Sequence, residues 1–155
     1  MSSKSPFSAS LVAKFFIWKA STEGKTITNK KLQKLLYYAQ AWYLALKDRP
    51  LFREDIQAWV HGPAIPIIYN KYRKFGYENI SEEINPKELK SLVKDELLNE
   101  VWKVYGKLDA EYLEALTHNE DPWQLARDGL NSADASTKVI SHEDMKRYYK
   151  NLKHA

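Results

Sequence analysis

The sequence predicts a mainly α protein, a compact single-domain multi-helix bundle with one short extended segment near residues 55–61. Three observations carry that expectation. Apolar residues recur at three- and four-residue intervals through most of the 155 residues. Polar caps and prolines stand where those runs begin, and glycines stand where several end. At this length, with 44% hydrophobic residues, the chain can bury one sizeable core but not comfortably two.

The elements follow in order. Ser8 or Ser10 can cap a first helix running to Thr22, with Leu11, Val12, Phe15, Phe16 and Trp18 as its apolar stripe and Gly24 as its end. Thr28 caps the second, in which Leu32, Leu35, Leu36, Ala39, Trp42, Tyr43 and Leu46 repeat with helical spacing. Asp48-Arg49-Pro50 breaks that period. The alternation in Asp55–Val60 then predicts the extended segment, and His61-Gly62-Pro63 predicts a turn. Pro66 opens a third helix that buries Ile68, Tyr69, Tyr72 and Phe75 and stops at Gly76. Tyr77–Asn85 reads as a loop or weak edge strand.

From Pro86 to Leu108 the period returns as one long helix or two short ones, bounded by Gly106 and Asp109. A helix over Ala110–Thr117 follows. Asp121 is placed as the cap of a short helix with Pro122 in its first turn, then Asn131–Thr137 forms a loop. Ser141 and Asp144 resemble a capping box for a terminal helix carrying Met145, Tyr148, Tyr149 and Leu152. No repeat or low-complexity linker divides the chain, so residues 1–155 are expected to form one domain.

Composition narrows the function classes. The absence of cysteine removes disulfides and thiolate metal sites and suits a reducing, cytoplasmic setting. No run of about 18 apolar residues occurs, and the leader from Met1 lacks an apolar core, so no membrane partner is expected. The net charge of +4, from 24 basic and 20 acidic residues, is modest. Lys25, Lys30, Lys31 and Lys34, with Lys71, Arg73 and Lys74, would serve a DNA-binding regulator built on the N-terminal helices. The favoured reading makes them the wet sides of amphipathic helices.

Catalytic motifs of the zinc-protease, P-loop, dinucleotide and nucleophile-elbow types are absent. His61 precedes Gly-Pro, His142 lies in a helix cap and His154 in the tail. His118-Asn119-Glu120-Asp121 is the densest polar knot, but its place at a helix end favours capping over metal binding. Neither a catalytic residue, a metal nor a cofactor is therefore expected. The aromatic residues point instead to binding, because tyrosine and tryptophan join rigid apolar area to a polar tip. Tyr37, Tyr38, Trp42 and Trp59 are candidates, and helical spacing predicts that Tyr37 and Tyr38 do not share one buried face.

Three stretches resemble a known family: Lys31–Gln40, reading KLQKLLYYAQ; Pro50-Leu51-Phe52 with Ala58–Pro63, reading AWVHGP, and Pro66–Tyr69; and Thr117–Trp123, reading THNEDPW. Their order and spacing over residues 26–127 are similar to the Panacea domain, also called the SocA-like or GepA-like phage-associated domain. The resemblance implies an antitoxin that binds and neutralises a toxin encoded nearby, in bacteria or prophages, either directly or as an adaptor to a cellular protease. His61 stands where an aromatic residue is common. With Trp123 it completes the candidate partner-binding set of Tyr37, Tyr38, Trp42, Trp59, His61 and Trp123, and the flanking first and last helices are expected to set partner choice.

Overall fold

A computed structural model describes residues 5–153 and is mainly α: among the described residues, seven helices accompany one two-stranded sheet. The leader residues 1–4 and His154 lie outside the described residues. Helix α1 (Ala9–Thr22) is capped by Ser8, whose hydroxyl accepts from the Leu11 N–H, so Ser8 rather than Ser10 starts it.

Helix α2 (Asn29–Lys47) begins at Thr28, which accepts from the Lys31 N–H, and runs through the middle of the molecule. It is buried nearly all round: α1, α3 (Pro66–Tyr72), α4 (Glu96–Tyr105), α5 (Ala110–His118) and α7 (His142–Lys153) all pack on it. A helix covered on every side has no wet face to spare. Within it Gln40 anchors the chain that follows, accepting from the Leu51 N–H at 2.7 Å and donating to the Phe52 carbonyl at 2.7 Å.

The extended segment is real but shorter than 55–61, and the turn sits one step earlier than expected. Strand β1 (Gln57–Trp59) pairs antiparallel with β2 (Gly62–Ala64), so Val60-His61 form the loop and Gly62-Pro63 begin the return strand. Pro63 is tolerated there because it lies opposite Ala58. The Ala58 N–H donates outward to the Lys138 carbonyl at 2.8 Å and its carbonyl accepts from Arg127 at 2.9 Å. The missing proline N–H thus leaves no ladder partner bare.

After α3 and a 3-10 turn (Arg73–Phe75), the Tyr77–Asn85 stretch is a loop tied down by one bridge between Thr28 and Asn79 and by the Ile80 N–H on the Ile27 carbonyl. The Pro86–Leu108 region resolves into a 3-10 turn (Pro86–Leu89) and α4. Asp95 separates them by accepting from the Leu98 N–H at 2.9 Å. Asp109 caps α5 and Ser141 caps α7, donors being the N–H groups of Tyr112 and Asp144.

Helix α6 (Asp121–Ala126) starts one residue before the predicted position, with Glu120 rather than Asp121 in the cap position. Glu120 makes no cap bond because its carboxylate is turned into the core.

Candidate partner-binding groove

Two polar assemblies lie along α2. The first is closed. Tyr38 donates to Glu120 Oε1 at 2.6 Å and Tyr149 donates to the same oxygen at 2.9 Å. Tyr149 has then spent its proton, so the 3.0 Å contact between the Tyr37 and Tyr149 hydroxyls is a donation from Tyr37. Tyr38 also stacks on Tyr105 with centroids 4.0 Å apart, and the Tyr105 hydroxyl accepts from Trp42 Nε1 at 2.8 Å.

Burial pushes the Glu120 carboxyl above the usual carboxylate range, although the two phenol donors oppose it. Burial likewise holds Tyr37 and Tyr149 well above the ordinary phenol value.

This overturns the expectation that one of Tyr37 and Tyr38 is exposed: both rings are fully buried. Helical spacing would free one ring only if a single side of α2 were covered, whereas α4, α5 and α7 cover the rest. Trp123 is also interior, its indole N–H donating to the Trp59 carbonyl at 2.8 Å. Of the six expected partner contacts, only Trp42 and Trp59, both half-buried, and His61, exposed, reach the surface.

The second assembly is open. A groove of about 470 Å³ runs between the N-terminal half of α2, the β1–β2 hairpin and α3, with Trp59, His61, Tyr69 and Arg73 on its walls and Gln33 and Lys34 at its base. Trp59 and Tyr69 meet edge to face with centroids 5.0 Å apart. Gln33 fixes the base: its carbonyl oxygen accepts from the Ile65 N–H at 2.8 Å, and its amide donates to Asn29, which in turn donates to the Tyr69 carbonyl at 3.0 Å.

Lys34 is the anomaly. It is buried, yet among the described residues its ammonium makes only a 3.4 Å contact to the Pro63 carbonyl. Burial pushes its pKa down to about 7, with Glu114 opposing and Lys30 reinforcing the shift. Gly62 stands directly over it: a Cβ there would come within 2.6 Å of Lys34 Cε, and its φ of +106° disfavours any other residue.

Beside the groove, Glu114 is a hub. It pairs closely with Lys30 and lies 3.3 Å from His61 Nδ1. Burial alone would raise its pKa, but Lys30 and His61 outweigh that and lower it. His118 lies 4.0 Å from Glu114 and stacks on Trp123 at 3.9 Å, and burial lowers its pKa.

The His118–Asp121 knot does not converge, since Glu120 points to the tyrosines and His118 to Glu114. Among the described residues, no three histidine or acidic side chains gather as metal ligands.

The lysine cluster also departs from expectation. Lys34 is interior, Lys30 is paired with Glu114, and Lys31 donates to the Gly106 carbonyl at 2.5 Å over the Trp102 ring. These are not simply wet flanks, because α2 has packed neighbours on the sides its lysines occupy. Lys71 reaches Ser10 and Lys74 lies over Phe75, which separates the second cluster as well.

Sequence reasoning read Lys34 as one of a set of surface lysines and missed Gln33, Asn29 and Glu114. One signal was present for Lys34: it precedes Tyr38 by four residues and Ala41 by seven, which places it on a side of the helix that is buried further along.

Comparison with known proteins adds three findings. The model of the family described as antitoxin SocA-like, Panacea domain, matches residues 32–124. The chain is similar to antitoxin SocA of Caulobacter vibrioides (strain NA1000 / CB15N), with 30% identity over 133 residues that cover 78% of this chain and 71% of the relative. No solved structure matches.

Proposed function

The chain belongs to the antitoxin SocA-like, Panacea-domain family, and from that premise we propose that it is an antitoxin, binding a toxin protein and holding it inactive. The observation that carries this reading is that the matched residues, 32–124, hold most of the open groove: Lys34, Trp59, His61, Tyr69 and Arg73. A concave site with aromatic walls and a few fixed polar groups is the form that protein recognition takes. Binding alone can silence a toxin; delivery of the bound toxin to a cellular protease is the other route the same surface allows. The DNA-binding alternative gains no specific support, because the lysines meant to serve it are interior or engaged with neighbouring groups.

The test is co-expression with the small open reading frame beside its gene. The expected result is a neighbour that arrests growth alone, growth restored by this chain, and a complex that copurifies. A non-toxic neighbour, or persistent toxicity with no complex, overturns the reading. Following the toxin's half-life separates the two routes: it shortens in the presence of this chain under proteolytic delivery and is unchanged or lengthened under direct inhibition.

A further inference from the structure

We propose that the groove over Lys34 receives a carboxylate carried by an acidic peptide segment of the partner protein, with Lys34 as its counter-ion. The proposal rests on the antitoxin reading for the nature of the partner, and on four observations for the chemistry.

The first is an unspent donor set. An ammonium has three N–H groups, and that of Lys34 has one long contact, at 3.4 Å to the Pro63 carbonyl. Among the described residues no carboxylate lies within ion-pair distance of it. A buried charge ordinarily has a partner and good geometry, and this one faces a groove.

The second is that its neighbours are committed. Both ends of the Gln33 amide are used, and Glu114, whose charge acts on Lys34, is held by Lys30 and His61. Among the described residues, neither Gln33 nor Glu114 is thus free to turn and complete the site.

The third is the hairpin. Gly62 packs its backbone directly against Lys34, whose side chain fills the space a Cβ would take, and its φ of +106° disfavours any side chain there, so the hairpin fixes the position of the ammonium. The fourth is the wall chemistry. Trp59 and Tyr69 line the approach with aromatic area, and Arg73 adds one further cation at the rim.

These features favour a peptide over a nucleic acid. One sunken ammonium between aromatic walls reads a single carboxylate, whereas a phosphate backbone needs a row of exposed cations. Here the exposed Glu111 and the half-buried Glu114 share the Lys30 side of the groove.

The test uses the purified chain and two short fluorescein-labelled peptides with amidated ends, identical in their interspersed phenylalanines and differing only in glutamate against glutamine. Fluorescence anisotropy should show the glutamate peptide binding about tenfold more tightly, the effect of one charge-assisted hydrogen-bonded contact. Equal binding, or binding of neither, overturns the proposal, and this comparison needs no variant.

A third peptide, with glutamines and a free terminal carboxylate, tells a chain end from a side chain: tight binding of it while the glutamate peptide shows no preference overturns the proposal of an acidic segment. Lys34→Met, checked for folding by circular dichroism, should erase the discrimination; its persistence overturns the proposal. Displacement of the glutamate peptide by an equally charged single-stranded oligonucleotide also overturns it. Growth rescue by the unaltered chain is scored separately, so its failure counts against the antitoxin reading and leaves the peptide comparison standing.

Discussion

The two polar assemblies on α2 use similar materials to opposite ends. On the α7 side, the Glu120 carboxylate accepts from two phenols, and the Tyr37 hydroxyl completes the chain. On the hairpin side, Lys34 is as deeply buried but holds a single long contact. A satisfied buried network fixes one packing of the interior. An unsatisfied buried charge costs stability in the free protein and is maintained here by its surroundings. The contrast separates the part of the molecule that holds the fold from the part left poised for another chain.

Three changes probe that contrast. Tyr149→Ala should have the largest effect, because it removes a fully buried ring and strips Glu120 of one donor and Tyr37 of its acceptor. A loss of about 4 kcal/mol is expected, read from urea denaturation. A loss below about 1 kcal/mol would mean that the closed network does not hold the fold.

Lys34→Met tests the open side through pH. The folded pKa of about 7 lies below the unfolded lysine value of 10.5, so between them the unfolded chain holds a proton that the folded chain has released. Stability of the unaltered protein should therefore rise as pH climbs from 7 towards about 10, by on the order of 3 kcal/mol. The buried phenols bear the other way only above their ordinary value of about 10. In Lys34→Met most of the rise should be lost, leaving the part that Lys31 contributes because burial lowers its pKa too, and stability at pH 7 should be higher; denaturation midpoints across that window measure both. An unchanged slope would show that Lys34 is not the group responsible.

His61→Ala should have the smallest effect. Its side chain is 76% exposed and, among the described residues, its polar contact is to Glu114, so thermal or chemical denaturation should shift by less than about 0.5 kcal/mol. A larger loss would assign His61 to holding the hairpin rather than to lining the groove.

How much of this was legible in the sequence depends on how local each signal is. The caps Ser8, Thr28 and Ser141, the boundary at Asp109 and the helices that follow them are written in adjacent residues and were readable. The α6 start was displaced by one residue because Glu120 answers to Tyr38, 82 positions away. The predicted exposure of Tyr37 or Tyr38 failed for the same reason. Spacing reveals which residues share a side of α2 but not how many elements will cover it.

Lys34 shows the limit most clearly, since a lysine among lysines reads as surface until α5 and the hairpin close over it. The flanking helices, expected to set partner choice, also build the core. Helix α7, beyond residue 124, buries Met145 and Tyr149 against α2.

The bond between Tyr37 and Tyr149 joins positions 112 residues apart, which has a consequence for the order of folding. As the chain is synthesised, α2 emerges early with Tyr37, Tyr38 and Trp42 facing an empty trough, and only the later arrival of α7, whose Tyr149 meets all three rings, fills it. Contacts of such long sequence separation are slow to form because the intervening loop must first be closed. A ribosome that stalls before α7 would release a chain with an aromatic trough open to solvent, a state exposed to proteases.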